Sequence, residues 1–251
     1  MSDKTQKLSN RIDIIDALRG LAILLMVIHH ALYDAVYYLG APAWFFANPV
    51  FTPLSRFFEV VFILLSGASC RFSHSNLKRG VIFLAGAVAI SAVTYFIGNP
   101  IRFGILHFLG VAAVGFGLYQ KLREHIKTPT LTRRQSDTVR ALAILTCAAA
   151  FALLWNAIYH RTYSFEGFGW MGFTYPGYSS SDWFPILPWI FVYIAGNVLG
   201  LWITEHRFPE RFYTQKVPFF AAAGRHTLWI YLLHQPILYG ITMLIQYIVM
   251  Q

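Results

Sequence analysis

Residues 14–38 read IIDALRGLAILLMVIHHALYDAVYY, and this stretch decides the fold. It is long and apolar enough to cross the ~30 Å hydrocarbon core of a bilayer, which takes about 20 mostly apolar residues. A lone segment in lipid must satisfy its own backbone polar groups, so it is a helix. Yet it carries Asp16, Arg19, His29, His30 and Asp34. An ionisable side chain inside a span costs about 2.5–3.5 kcal/mol on insertion scales, so such groups face protein or water. The stretch therefore predicts a bundle of helices around it.

The rest of the chain supplies that bundle. Of 251 residues, 57% are hydrophobic, 17% aromatic and only 12% charged. A soluble domain carries about 25% charged residues to cover its surface. The mean hydropathy is +0.51. Six more segments are apolar over a membrane-crossing length: 53–72, 81–98, 104–120, 141–160, 184–204 and 219–248. The fold class is all-α, a polytopic integral membrane bundle of about seven transmembrane helices. It reads as a single domain over 1–251, with a tail at 1–13, a polar loop at 121–140 and an aromatic loop at 161–183. The polar tail and the charged first span exclude a cleavable signal peptide.

Charge between the spans predicts orientation. The tail holds Lys4, Lys7 and Arg11, and the connection after the second span Arg71, Lys78 and Arg79. The one after the fourth holds Lys121, Arg123, Lys127, Arg133, Arg134 and Arg140. The one after the sixth holds Arg207, Arg211, Lys216 and Arg225. These four connections share one side in a seven-span topology and hold 16 of the 20 Lys and Arg residues. The positive-inside rule then puts the N-terminus and the 121–140 loop in the cytoplasm, and the 161–183 loop outside. The net charge of +9 is split among these connections, so the basic balance speaks for a membrane and against nucleic acid.

Helix phase sorts the polar residues of the first span. At 100° per residue, with Arg19 at zero, His30 falls at about 20° and Asp16 and Asp34 at about 60°. His29 falls at about 280°, on another face, and reads as structural. Asp16, Arg19, His30 and Asp34 thus form one stripe, with His30 about 16 Å along the helix from Arg19. Asp34, four residues from His30, is placed to accept a ring hydrogen bond, leaving the other nitrogen as a general base. Arg19 is placed to hold an anionic or carbonyl-bearing group. The bland alternative is that these charges pair with other helices, Arg56 and Glu59 being candidate partners.

Other spans add polar groups. His107 opens the fourth, with Arg102 just before it, and the two are candidates for the same cavity as His30. The last span contains Tyr231-Leu-Leu-His234-Gln235-Pro236, where the proline frees a carbonyl at residue 232 and makes a ligand wall or a kink. Ser66, Gly67 and Ser69, and the Gly196/Gly200 pair, read as close helix contacts. Cys70 and Cys147 sit in apolar runs and read as core residues. The aromatics of 161–183 suit a sugar ring or, more simply, the membrane interface. The sequence has no Gly-rich phosphate loop, HExxH or GxSxG, so serine-hydrolase chemistry has no support.

The stretch from Arg11 to His30, with Asp13, Asp16, Arg19, Gly20, Met26 and His29, resembles the opening of the heparan-α-glucosaminide N-acetyltransferase catalytic-domain family. Ile101-Arg-Phe-Gly104-Ile-Leu-His107-Phe-Leu-Gly110 resembles a second motif of that family, and His234-Gln-Pro236 its closing one. The spacing from Arg19 to His30 is also similar to the broader acyltransferase-3 group. The resemblance implies a bacterial member in the cytoplasmic membrane. It implies acyl transfer, typically of acetyl from acetyl-CoA, to a hydroxyl or amine of a sugar-like acceptor at the outer face. CoA would enter from the cytoplasm, where basic clusters suit its phosphates. The animal heparan enzymes have an Asn at the position of His30 and a catalytic His in the following loop. Residues 35–52 hold no His, which moves the base role to His30 or His107.

The expectation is then a transmembrane acyltransferase. His30, Asp34 and His107 are its catalytic candidates, and Arg19, His234 and Arg102 its donor-binding ones. Its partners are acyl-CoA, a carbohydrate or amine acceptor and the bilayer, with a homo-oligomer allowed; no metal is called for. A transporter with the same stripe along its path, and a non-catalytic membrane subunit, are the alternatives.

Overall fold

The computed structural model describes residues 11–126 and 131–249. Lys4, Lys7, Lys127, Pro129 and Thr130 lie outside the described residues. The helices are α1 Asp13–Leu39, α2 Phe51–Ala68, α3 Asn76–Phe96, α4 Ile105–Arg123, α5 Arg133–Leu154 and α6 Ile186–Thr204. Two short helices follow, α7 Glu210–Thr214 and α8 Pro218–Arg225, before α9 Thr227–Val249. A 3-10 turn, Ser69–Arg71, prolongs α2, and a π turn, Trp155–Tyr159, prolongs α5. Seven of the described helices, α1 to α6 and α9, are long and apolar enough to cross a membrane. They carry large apolar side chains on open faces, such as Leu142, Leu145 and Leu153 of α5. Those faces need lipid as their solvent, since water would leave too much apolar area unburied.

Two boundaries differ from the reading of hydropathy. The loop expected at 121–140 is shorter, because α5 begins at Arg133. The Thr132 hydroxyl accepts from the Gln135 backbone N–H at 3.4 Å, and the Gln135 side-chain Oε1 accepts from the Thr132 N–H at 3.0 Å. This reciprocal cap starts a helix in polar sequence. The last apolar run, 219–248, is two helices. The Thr227 hydroxyl donates to the Gly224 carbonyl at 2.6 Å, ending α8 where Arg225 and His226 interrupt the run. The first helix ends at Gly40, whose φ of 71° is the left-handed conformation that glycine adopts without a Cβ penalty.

The chain forms two compact units, Met1–Phe62 with Phe208–Gln251, and Ile63–Arg207. In the first, α1 packs on α8 and α9. A Cβ on Gly20 would overlap the Phe220 backbone, and one on Gly224 the backbone of Asp16. The two helices therefore cross backbone to backbone.

In the second unit, α3 packs on α4 and α5 on α6. The end of α2 meets α6 at glycines: Gly67 lies on the Tyr193 carbonyl, Gly196 on that of Leu64 and Gly200 on that of Ala68. The small-residue reading of these positions thus becomes close packing. Cys70 and Cys147 are buried free thiols, and Cys70 Sγ lies 2.7 Å from the Tyr193 hydroxyl. At one end of α5 and α6, Arg140 makes a two-pronged bond to Glu205, at 2.7 and 2.5 Å. Arg207 bonds both Glu205 and Asp137.

Candidate functional site

The stripe on α1 divides into two ends. At one end Asp16 is buried and accepts from Arg19 at 3.1 Å, with Arg11 3.9 Å away. Residues 16 and 19 are one turn apart, so the helix itself makes this pair. Lys216 lies 3.6 Å from Asp13 in the same region.

At the other end α9 meets the stripe. The rings of His30 and His234 stand 5.0 Å apart, centroid to centroid, with 52° between their planes. His234 is buried, and its Nδ1 lies 2.7 Å from the Tyr231 carbonyl. A carbonyl only accepts, so Nδ1 carries the hydrogen and Nε2 keeps a lone pair. That Nε2 atom is buried and has no partner among the described residues. A buried acceptor of this kind calls for a donor.

Asp34 is 1% exposed, and it takes a different partner from the one its spacing suggests. The Gln235 amide donates to both of its oxygens, at 3.2 and 3.3 Å. Among the described residues no hydrogen bond joins Asp34 to His30. The i, i+4 spacing permits that contact, but a two-oxygen bond to an amide satisfies a buried carboxylate better than one ring N–H. Gln235 was absent from the expected site. Its sequence signals are its place beside His234 in an apolar span and in the His234-Gln-Pro236 motif. Its Oε1 is buried and also lacks a partner among the described residues.

His29 goes elsewhere. It packs parallel to Phe51 at 5.6 Å and edge-on to Phe46 at 4.8 Å. Arg56 and Glu59 pair with each other at 2.8 Å along α2.

His107 and Arg102 belong to the second unit, where each has partners of its own. Ser91 gives its hydroxyl hydrogen to the Ile101 carbonyl at 2.7 Å, so its oxygen accepts from His107 Nε2 at 3.2 Å. His107 Nδ1 accepts the Gly104 N–H at 3.2 Å. Both ring nitrogens are thus in use, and the ring caps the start of α4. The carboxylate of Asp182 accepts the next N–H, that of Ile105, at 3.0 Å. A negative group suits a helix N-terminus. Arg102 donates from Nη1 to the Tyr175 hydroxyl at 2.6 Å, and its guanidinium lies 5.3 Å from the Tyr178 ring centre. Burial pushes the Tyr178 phenol up from its ordinary pKa, and Arg102 opposes that shift.

The model of the heparan-α-glucosaminide N-acetyltransferase catalytic family matches residues 11–236, from ahead of α1 to Pro236 in α9. The chain belongs to this family. No curated protein and no solved structure matches the chain. Family membership and the seven apolar helices make it a multi-pass membrane acyltransferase. The match begins at Arg11 and ends just past His234 and Gln235, so it spans the whole polar stripe and both residues that face it.

Proposed function

We propose that the chain moves an acyl group, in the first instance acetyl, from cytoplasmic acetyl-CoA to an amine or hydroxyl of a sugar-like acceptor at the outer face. One observation carries this reading: a buried His234 ring, held in one tautomer with an open lone pair on Nε2, stands 5.0 Å from the His30 ring in a family of acyltransferases.

His30 takes the proton from the acceptor as the acceptor's nitrogen or oxygen attacks the thioester carbonyl. The acyl–sulfur bond breaks, and an acyl–nitrogen or acyl–oxygen bond forms. The proton then passes from His30 to the departing thiolate, and no covalent enzyme intermediate is needed. His234 Nε2 has only a lone pair to offer, so it accepts from an N–H, and the pantetheine arm of CoA carries amide N–H groups. Asp34 acts through Gln235, which stands beside His234 in the chain. Arg19, balanced by Asp16, lies about 16 Å along α1 from His30 and marks the donor's path from the cytoplasmic side. His107 is a helix cap on this reading, since neither ring nitrogen is open to act as a base.

The test is His30→Ala in purified protein with acetyl-CoA and a panel of amino sugars and neutral sugars. Loss of a general base lowers the rate by about 10²–10⁴-fold, with the thermal unfolding midpoint preserved. Full transfer by a folded His30→Ala protein sinks the mechanism. The transporter reading rests on the polar stripe alone, which an acyltransferase site accounts for equally well.

A further inference from the structure

Two cavities lie in the second unit, and Arg102, which lines one, hydrogen-bonds Tyr175 and Ser180, which line the other. One, of about 380 Å³, is framed by the rings of Tyr175, Tyr178 and Trp183 and by the hydroxyls of Thr162, Ser179 and Ser180. None of its lining side chains is ionic. Asp182, next to Trp183 in the chain, turns its carboxylate to the Ile105 N–H. The segment around it is fixed: the Tyr163 N–H bonds the Thr174 carbonyl at 2.7 Å, and the Trp183 indole N–H bonds the Gly169 carbonyl at 2.9 Å. Trp183 therefore offers the cavity only its ring. Tyr175 accepts from Arg102 and keeps its own hydrogen to donate. Among the described residues, the Thr162 and Ser179 side chains make no hydrogen bond. Aromatic faces with open neutral hydroxyls match a sugar ring, which has apolar C–H faces and a polar edge.

The second cavity, of about 810 Å³, runs along α3 past Val88, Ala92, Tyr95, Phe96 and Ile101. Of its polar members, Ser91 and His107 are satisfied by each other and by backbone groups. They ask nothing of an occupant, so the groove suits an apolar chain. Tyr95 and Phe96 are 73% and 85% exposed, an arrangement typical of the headgroup level of a membrane.

Arg102 joins the two. It lines the apolar groove, while its backbone N–H bonds Ser180 Oγ at 3.1 Å and its guanidinium bonds Tyr175. A guanidinium has five N–H donors, and Tyr175 takes one. The rest suit a phosphate. We infer that the pair of cavities holds a lipid-linked sugar, with the neutral sugar in the aromatic pocket, an anionic linkage on Arg102 and an apolar chain in the groove along α3. This rests on the sugar-like acceptor proposed above and names its form.

Binding is measured on the purified full chain in nanodiscs, without acyl donor, by tryptophan fluorescence and by mass spectrometry of retained ligand. The probes are a farnesyl phosphate bearing one N-acetylglucosamine, farnesyl phosphate alone, the methyl glycoside of N-acetylglucosamine and phosphatidylglycerol. The conjugate binds at least about tenfold tighter than either half. Arg102→Gln weakens the conjugate and farnesyl phosphate by about tenfold and spares the methyl glycoside. Arg102→Lys restores most of the loss. Ala92→Trp fills the groove and weakens the two prenyl probes, while Ser179→Ala weakens the conjugate and the methyl glycoside. These two variants keep the test alive if Arg102→Gln fails to fold. A conjugate that binds no better than phosphatidylglycerol, or affinities that none of the variants shifts, overturns the inference and leaves the groove as a seat for bulk lipid. Transfer to soluble sugars with no binding of the conjugate sinks this inference alone. Binding of the conjugate with no transfer to any acceptor sinks the proposed function alone.

Discussion

His30 and His107 both lie in apolar helices, and their ring nitrogens tell them apart. Both nitrogens of His107 are taken, one by Ser91 and one by the Gly104 N–H. His107→Leu removes a helix cap, so it lowers stability by roughly 0.5–2 kcal/mol. Activity per folded molecule is retained, which a combined unfolding and transfer assay reads directly. Loss of transfer in a folded His107→Leu protein would return the base role to that residue. A second prediction concerns Asp34, which is buried on the Gln235 amide. Gln235→Leu strands a buried acceptor and costs about 1–3 kcal/mol. Adding Asp34→Leu removes the stranded group, so the double variant unfolds at a higher temperature than Gln235→Leu alone. Equal midpoints for the single and double variants would mean that the amide does not hold Asp34. Periodicity found His30 and Asp34 because their relation is local to one helix. The bond from Asp34 to Gln235 spans 201 residues, and no period within either helix encodes it.

Helices are joined in this protein by backbone contact at glycines and by ion pairs at their ends. Gly20 lies against the Phe220 backbone and Gly196 against Leu64. A side chain at either must displace a neighbouring helix, so Gly20→Leu and Gly196→Leu each destabilise by about 1–3 kcal/mol or more. Gly40, which has open space around it, makes no helix contact, so its substitution should leave both crossings intact. The ion-pair clasp between α5 and α6 predicts a pH effect. Arg140, and then Arg207, hold the Glu205 carboxyl at a pKa of about 2, below its ordinary 4.5. A depressed carboxyl contributes stability that is complete above its ordinary value and lost as pH falls through the folded one. The stability advantage over Glu205→Gln is therefore full at pH 7 and shrinks as pH falls from 4.5 towards 2. A constant difference across that range would exclude the clasp. The helices themselves were legible from hydropathy, since lipid demands long apolar runs. Their polar ends were not, because a cap such as Thr132 with Gln135 starts α5 in sequence that hydropathy counts as loop.

For the whole chain, a reaction that links two compartments depends on which side of the membrane each connection faces. Seven crossings would put the segments before α1 and after α9 on opposite sides. The connections with Arg71, Lys78 and Arg79, with Lys121 to Arg140, and with Arg207 to Arg225 alternate with connections poor in positive charge. That asymmetry predicts the connection between α4 and α5 inside and the 161–183 segment outside. The chain is well suited to a cysteine test, because its two native thiols, Cys70 and Cys147, are buried and give little background. Glu166 and His125 are both exposed, one in each connection. In intact cells, a membrane-impermeant maleimide should label Glu166→Cys at once and His125→Cys only after permeabilisation. The reverse pattern would place the basic connections outside and separate them from a cytoplasmic acyl donor. Equal labelling of both before permeabilisation would mean that one of the seven helices does not cross, and the alternation of charge would then need a different topology.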